Sequence, residues 1–151
     1  MSLKKARWVN RGFLNGPFLP IYGFGALTIL ISTLAVRENL PLIFLFGMAA
    51  ASVLEYFTGV GMEKIFHVRY WDYSNQKFNL NGHICLTSSL AWGFFSVLLV
   101  RVIHPPVETA VLSIPATTAE VVTVVLSILV AGDVTQSFHE ALDLKETLIR
   151  L

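Results

Sequence analysis

Apolar residues run along this chain in stretches of about 20, the length of a helix crossing a hydrocarbon core roughly 30 Å thick. From residue 12 to 36 no ionisable acid or base occurs, and Arg37-Glu38-Asn39 closes the run. Its early half holds Gly16, Pro17, Pro20, Gly23 and Gly25, residues that break or kink helices, whereas 26–36 reads as clean helix. This predicts an irregular start followed by a regular helix. Broken backbone at membrane depth must be buried by protein or line a wet cavity, because lipid satisfies no N–H or C=O group.

The second run, 40–62, has Pro41 placed for a first helical turn and one internal acid, Glu55. The third covers 84–103 and is expected to end at His104-Pro105-Pro106, where paired prolines remove helix donors. The fourth, 117–138, spans if Asp133 faces protein; three spans with a terminal surface helix is the competing count. The expected fold is all-α: a multi-pass transmembrane bundle of about four spans (17–36, 40–62, 84–103, 117–138), the first broken by Gly and Pro. The whole chain reads as one integral membrane domain with a central loop at 63–82.

Composition agrees. Of 151 residues 54% are hydrophobic and 14% charged, against about 25% charged in soluble domains, and the mean hydropathy is +0.65. No soluble catalytic module fits beside four spans. A net charge of +1 without a dense basic run gives no nucleic-acid footprint, and the single cysteine, Cys85, excludes an intrachain disulfide or a multi-cysteine metal site. The prolines and glycines of the first run, with no small-x-small site before Arg37, argue against a cleaved signal peptide.

Basic residues set the orientation. With four spans, Lys4, Lys5, Arg7 and Arg11, then Lys64, Arg69 and Lys77, then Lys145 and Arg150 share one side, leaving Arg37 and Arg101 on the other. Both termini and the central loop are expected in the cytoplasm.

Gly47, Ala51, Glu55, Gly59 and Glu63 recur every four residues and predict one ridge facing protein, since small residues let helices approach in lipid. Cys85, Ser89 and Gly93, beside Ser88, Trp92 and Ser96, form the matching stripe on the third span. Thr123, Ser127, Ala131 and Thr135 are expected to do so on the fourth.

An acid inside a span needs a partner, a proton or water. Glu55 and Glu63 read either as steps on a polar or proton path, or as interior glue, with Glu55 paired to a bundle hydroxyl, Asn81 or His83. Glu63 has Lys64 and Arg69 available. Asp133, Gln136, Ser137 and Glu140 form a second polar face. His139-Glu140 lacks the second histidine of a metalloprotease helix, so no metal or other cofactor is expected, and no residue is assigned as catalytic. In the central loop Tyr70, Trp71 and Tyr73 suit a headgroup region, Arg69 and Asp72 can pair, and Asn79, Asn81 and Gly82 can cap the next helix. That helix's N-terminus would attract an anion.

The stretches Arg11-Gly12-Phe13-Leu14-Asn15-Gly16-Pro17, Pro20-Ile21-Tyr22-Gly23, Glu55-Tyr56-Phe57-Thr58-Gly59, Arg69-Tyr70-Trp71-Asp72-Tyr73-Ser74 and Asn79-Leu80-Asn81-Gly82-His83-Ile84-Cys85-Leu86 together resemble the bacterial membrane family called putative ABC-transporter type IV, or CmpB-like permeases, over residues 11–96. The resemblance implies a multi-pass protein of the bacterial plasma membrane. Members commonly carry another hydrophobic segment before the Asn-Arg-Gly-Phe-Leu motif, so this chain is expected to be a shortened member or a fragment. The expected function is a permease-like component of an ABC-type or related transporter. The alternatives are an intramembrane enzyme acting on a lipid or wall precursor, or a structural scaffold. The sequence has no Gly-x-x-x-x-Gly-Lys-Ser/Thr loop, so ATP hydrolysis would need a separate subunit. Four spans are few for a pathway, which points to a homo-oligomer or to separate ATPase and permease subunits in the bilayer.

Overall fold

The computed structural model describes residues 14–16, 19–67 and 69–149, with side chains up to residue 142. Lys4, Lys5, Arg7, Arg11, Pro17 and Arg150, and the side chain of Lys145, lie outside the described part. Helix α1 (Pro20–Ser32) opens on a proline, whose fixed φ suits a first turn. It closes where the buried Thr33 turns its hydroxyl onto the Ile29 carbonyl at 2.7 Å. Helix α2 (Leu40–Phe66) is capped by Asn39, which accepts from the Leu42 N–H, and ends on His67 in the left-handed region, φ 58°. It runs a turn past the expected boundary, so Glu63 lies in its last helical turns.

Helix α3 (Leu86–Leu98) does not stop at the prolines. A π-helical turn (Leu99–Ile103) carries it into α4 (His104–Leu112), correcting the expected end at the Pro105-Pro106 pair. The π turn redirects the His104 N–H to the Leu99 carbonyl, and both prolines occupy the first turn of α4, where their fixed φ fits the helix although they donate to none of the preceding carbonyls. Helix α5 (Ala116–Ile149) follows.

Three helical stretches, Leu40–Phe66, Leu86–Leu112 and Ala116–Leu142, are long and apolar enough to cross a membrane. The 13 residues of α1 reach only ~20 Å. Large apolar side chains such as Phe24, Ile31, Phe57, Phe94 and Ile128 point outward. This is the surface of a multi-pass helical membrane protein, whose solvent is hydrocarbon.

Helix α2 is the hub, packed along α3 and α1. Its buried residues include Gly47, Ala51, Glu55 and Gly59, the ridge expected from the sequence. Facing it, Gly93 and Ser96 are buried on α3. Gly47 takes the Ser96 side chain where a β-carbon would otherwise sit, and Gly93 accommodates the ring of Phe44. Ile29, Ile43, Ala51, Leu99 and Val100 complete the core. The stripe expected on the fourth span is overturned: Thr123, Ser127, Ala131 and Thr135 are exposed. Thr123 and Thr135 spend their hydroxyls on the carbonyls of Ala119 and Ala131 in their own helix.

Two clusters mark the ends of the bundle. At one, Arg101 Nη1 donates to the Arg37 carbonyl at 2.9 Å and meets Glu38 at 3.2 Å. At the other, Phe66 packs edge-on against Phe138, and Asn15 reaches α5. Residues 14–16, the central loop and the second half of α5 thus share one end.

Candidate functional site

Two carboxylates two turns apart on one ridge, Glu55 and Glu63, organise the α2 end that carries the central loop. Glu55 is buried, yet each of its oxygens is held by a different segment: Oε1 accepts from the Tyr73 hydroxyl at 3.1 Å and Oε2 from Trp92 Nε1 at 3.0 Å. Neither partner is Asn81 or His83, two of the pairings weighed from the sequence beside a bundle hydroxyl. Trp92 is wedged between helices, 6.1 Å from the Tyr22 ring and in contact range of Gly25, where a β-carbon would stand 3.4 Å from the indole. One turn before Glu55, Ser52 and Ser89 join α2 to α3 through a 2.8 Å hydroxyl contact.

Tyr73 reaches this depth because the loop folds back on itself. Its N–H donates to the Gly82 carbonyl at 2.8 Å, beside a short hairpin of β1 (Asn79–Leu80) and β2 (Ile84–Cys85). The hairpin turns through Asn81 (φ 53°) and Gly82 (φ 75°). A side chain at Gly82 would meet Ser74, Asp72 and Arg69 within 3.0 Å. Asn79 shapes the loop: its Oδ1 accepts from the Gly82 N–H and its Nδ2 donates to the Gln76 carbonyl. Asn81 reaches the Tyr56 hydroxyl. Neither Asn caps α3. That role belongs to Cys85 and Ser88, which exchange side-chain and backbone bonds in a capping box, while the Leu86 N–H donates to the Phe78 carbonyl. The α3 N-terminus is therefore occupied by protein rather than open to an anion.

The second carboxylate, Glu63, takes Arg69 Nε at 2.7 Å on one oxygen and His83 Nε2 at 3.1 Å on the other. Arg69 also faces Asp72 at 3.5 Å. The hydrogen bond to Glu63 pushes the Arg69 guanidinium further up. Asp72 is held below the usual carboxylate range, first by the Ser74 hydroxyl and N–H and then by Arg69. His83 is buried against Gly59 and edge-on to Tyr56. Trp71 fastens the strand by donating to the His83 carbonyl at 2.9 Å. Burial, then the neighbouring Glu55, pushes the Tyr73 phenol up to about 12.

The structure thus unites Glu63, Arg69, Asp72 and His83 in one polar network, two helical turns along α2 from Glu55. Asp133 stands apart. It accepts the N–H groups of Asn15 and Gly16 at 3.0 Å, with Ser137 and Glu140 completing a clamp on these two residues. Sequence reasoning missed Tyr73 and Trp92 as partners of Glu55. The available signal was that an indole is a donor needing an acceptor when buried, and Glu55 is the acid inside the facing span. Among the described residues no group of three His, Cys, Asp or Glu is placed to hold a metal.

A family model described as putative ABC-transporter type IV matches residues 1–138, a wider stretch than the motifs alone cover. No curated protein and no solved structure matches the chain significantly.

Proposed function

We propose, since the chain belongs to the putative ABC-transporter type IV family, that it is the permease-like membrane component of a transporter, with Glu55 and Tyr73 forming a latch between bundle and loop. The observation that carries this reading is the pair of bonds on Glu55, one to α3 and one to the loop above. Trp92 can only donate, so Oε2 is an acceptor in either state of the acid. Tyr73 can donate or accept. An ionised Glu55 accepts a charge-assisted bond from the phenol, whereas a protonated Glu55 donates to it through a weaker neutral bond. Protonation therefore weakens the tie between Glu55 and the loop, which suits a gate on a polar path. Glu63, Arg69, Asp72 and His83 form its outer collar.

The distribution of basic residues favours a loop end facing the cytoplasm of a bacterial plasma membrane, where a separate ATPase subunit would act, and the few spans favour a homo-oligomeric pathway. Gentle extraction from native membranes tests this. An ATPase should co-purify, with its turnover dependent on pH in the wild type and flat in Glu55→Gln. Lipid turnover by the purified chain alone would support an enzyme instead, and neither partner nor turnover would support a scaffold.

A further inference from the structure

Away from the loop, where Arg37–Asn39 meets the π turn, the structure has a cavity of about 270 Å³ whose polar lining alternates in sign. Arg37 and Arg101 contribute guanidiniums, Glu38 and Glu108 carboxylates, over an apolar lining of Leu30 and Val100, and His104 Nδ1 stands 3.6 Å from Glu108 Oε2. A simple anion would meet both acids and a simple cation both guanidiniums. A ligand carrying both signs meets a partner at each end.

The backbone adds acceptors. The residues four and five positions after Arg101 are Pro105 and Pro106, which have no N–H, so neither the α nor the π pattern supplies the Arg101 carbonyl. For Val100, the residue four on is His104, whose N–H goes to Leu99, and the residue five on is Pro105. Carbonyls at the edge of a membrane need a donor from outside the helix. A primary ammonium has three N–H groups, enough for a carbonyl and for Oε1 of Glu108, whose Oε2 faces His104. Arg101 spends Nη1 on the Arg37 carbonyl and Glu38, leaving other guanidinium N–H groups for a phosphate.

We propose that this cavity binds a primary-amine phosphate zwitterion of the phosphoethanolamine kind, its phosphate on Arg37 and Arg101 and its ammonium on Glu108 and the freed carbonyls. The shared chemistry could arrive on a lipid, whose chains would lie along the exposed Leu98 and Val102, or as a free solute. The site is independent of the Glu55 latch.

The test is lipid retention by native mass spectrometry, after exchange of the purified protein into phosphatidylethanolamine, phosphatidylglycerol or phosphatidylcholine of matched chains. Phosphatidylethanolamine should be retained about tenfold over both, the worth of one charged hydrogen bond. Arg37→Gln and Glu108→Gln, both at exposed positions, should each erase the preference while helix content is unchanged. Equal or better retention of phosphatidylglycerol would overturn the proposal in favour of a plain anion site. Parity with phosphatidylcholine would show that no N–H is read, and unaltered preference in both variants would place the lipid elsewhere. Displacement of the lipid by free phosphoethanolamine would support the site with a soluble ligand; a preference resistant to it would support the site with a lipid.

Discussion

Replacing Gly47 by alanine adds one methyl group at the point where α2 and α3 come closest. A β-carbon there overlaps both the Cβ and Oγ of Ser96 and stands 3.6 Å from Ile29 Cγ2. At Gly61, on the same helix, an added β-carbon meets nothing within 4 Å. Each substitution gains the same helix propensity, about 1 kcal/mol, so the difference between the variants isolates the packing penalty. Forcing a methylene-sized group into a tight contact costs roughly 1–3 kcal/mol. Gly61→Ala should therefore be more stable than wild type, and Gly47→Ala about 1–3 kcal/mol less stable than Gly61→Ala. Ser96→Ala cannot relieve the overlap, because its Cβ remains. Ser96→Gly can, so Gly47→Ala combined with Ser96→Gly should recover at least about 1 kcal/mol of the loss through a coupling that contacting pairs show. Unfolding in mixed micelles of increasing dodecyl sulfate, followed by tryptophan fluorescence, measures all four variants. Equal midpoints for Gly47→Ala and Gly61→Ala would refute the close approach of α2 and α3.

Three further outcomes are expected. Glu55→Gln should fold normally, because the amide oxygen accepts from Trp92 and its NH₂ donates to Tyr73, whereas Glu55→Leu leaves both donors stranded and should cost about 1–3 kcal/mol; equal micellar midpoints for the two would contradict this. The loss expected for Leu overrides the simpler rule that an apolar substitute for a buried acid is neutral or stabilising. The Tyr73 phenol, raised from 10 to about 12, contributes stability that is complete below pH ~10 and lost as pH climbs through ~12; Tyr73→Phe should remove that part of the alkaline loss, read from fluorescence against pH. Cysteine reporters at Gln76 and Thr109, in a Cys85→Ser background that keeps a capping side chain, should label from opposite sides, with Gln76 protected in intact cells and labelled only after permeabilisation.

The α2 ridge was legible because small residues at every fourth position leave a periodic trace that needs no partner to be read. The network of Glu63, Arg69, Asp72 and His83 was legible as a set of candidates but not as a set of bonds, since a loop has no period. Tyr73 and Trp92 escaped for a sharper reason: an aromatic in a loop finds partners at the interface equally well, one inside a span reads as packing, and these two lie 18 and 37 residues from Glu55. The prolines misled because the local rule assumes α geometry, and a π turn carries the helix through them while leaving the carbonyls of Val100 and Arg101 without helical donors. The α5 stripe misled because hydroxyls in lipid can be satisfied by their own helix.

Proton permeability of proteoliposomes holding the purified complex, followed with an internal pH dye under an imposed gradient, tests the latch most directly. The account predicts a wild-type flux that rises as the loop-side pH falls and the Glu55–Tyr73 bond weakens, and a flux in Glu55→Gln, per folded molecule, that no longer responds to pH. An unaltered pH response in folded Glu55→Gln would contradict it and leave Glu55 as a structural tie between α3 and the loop.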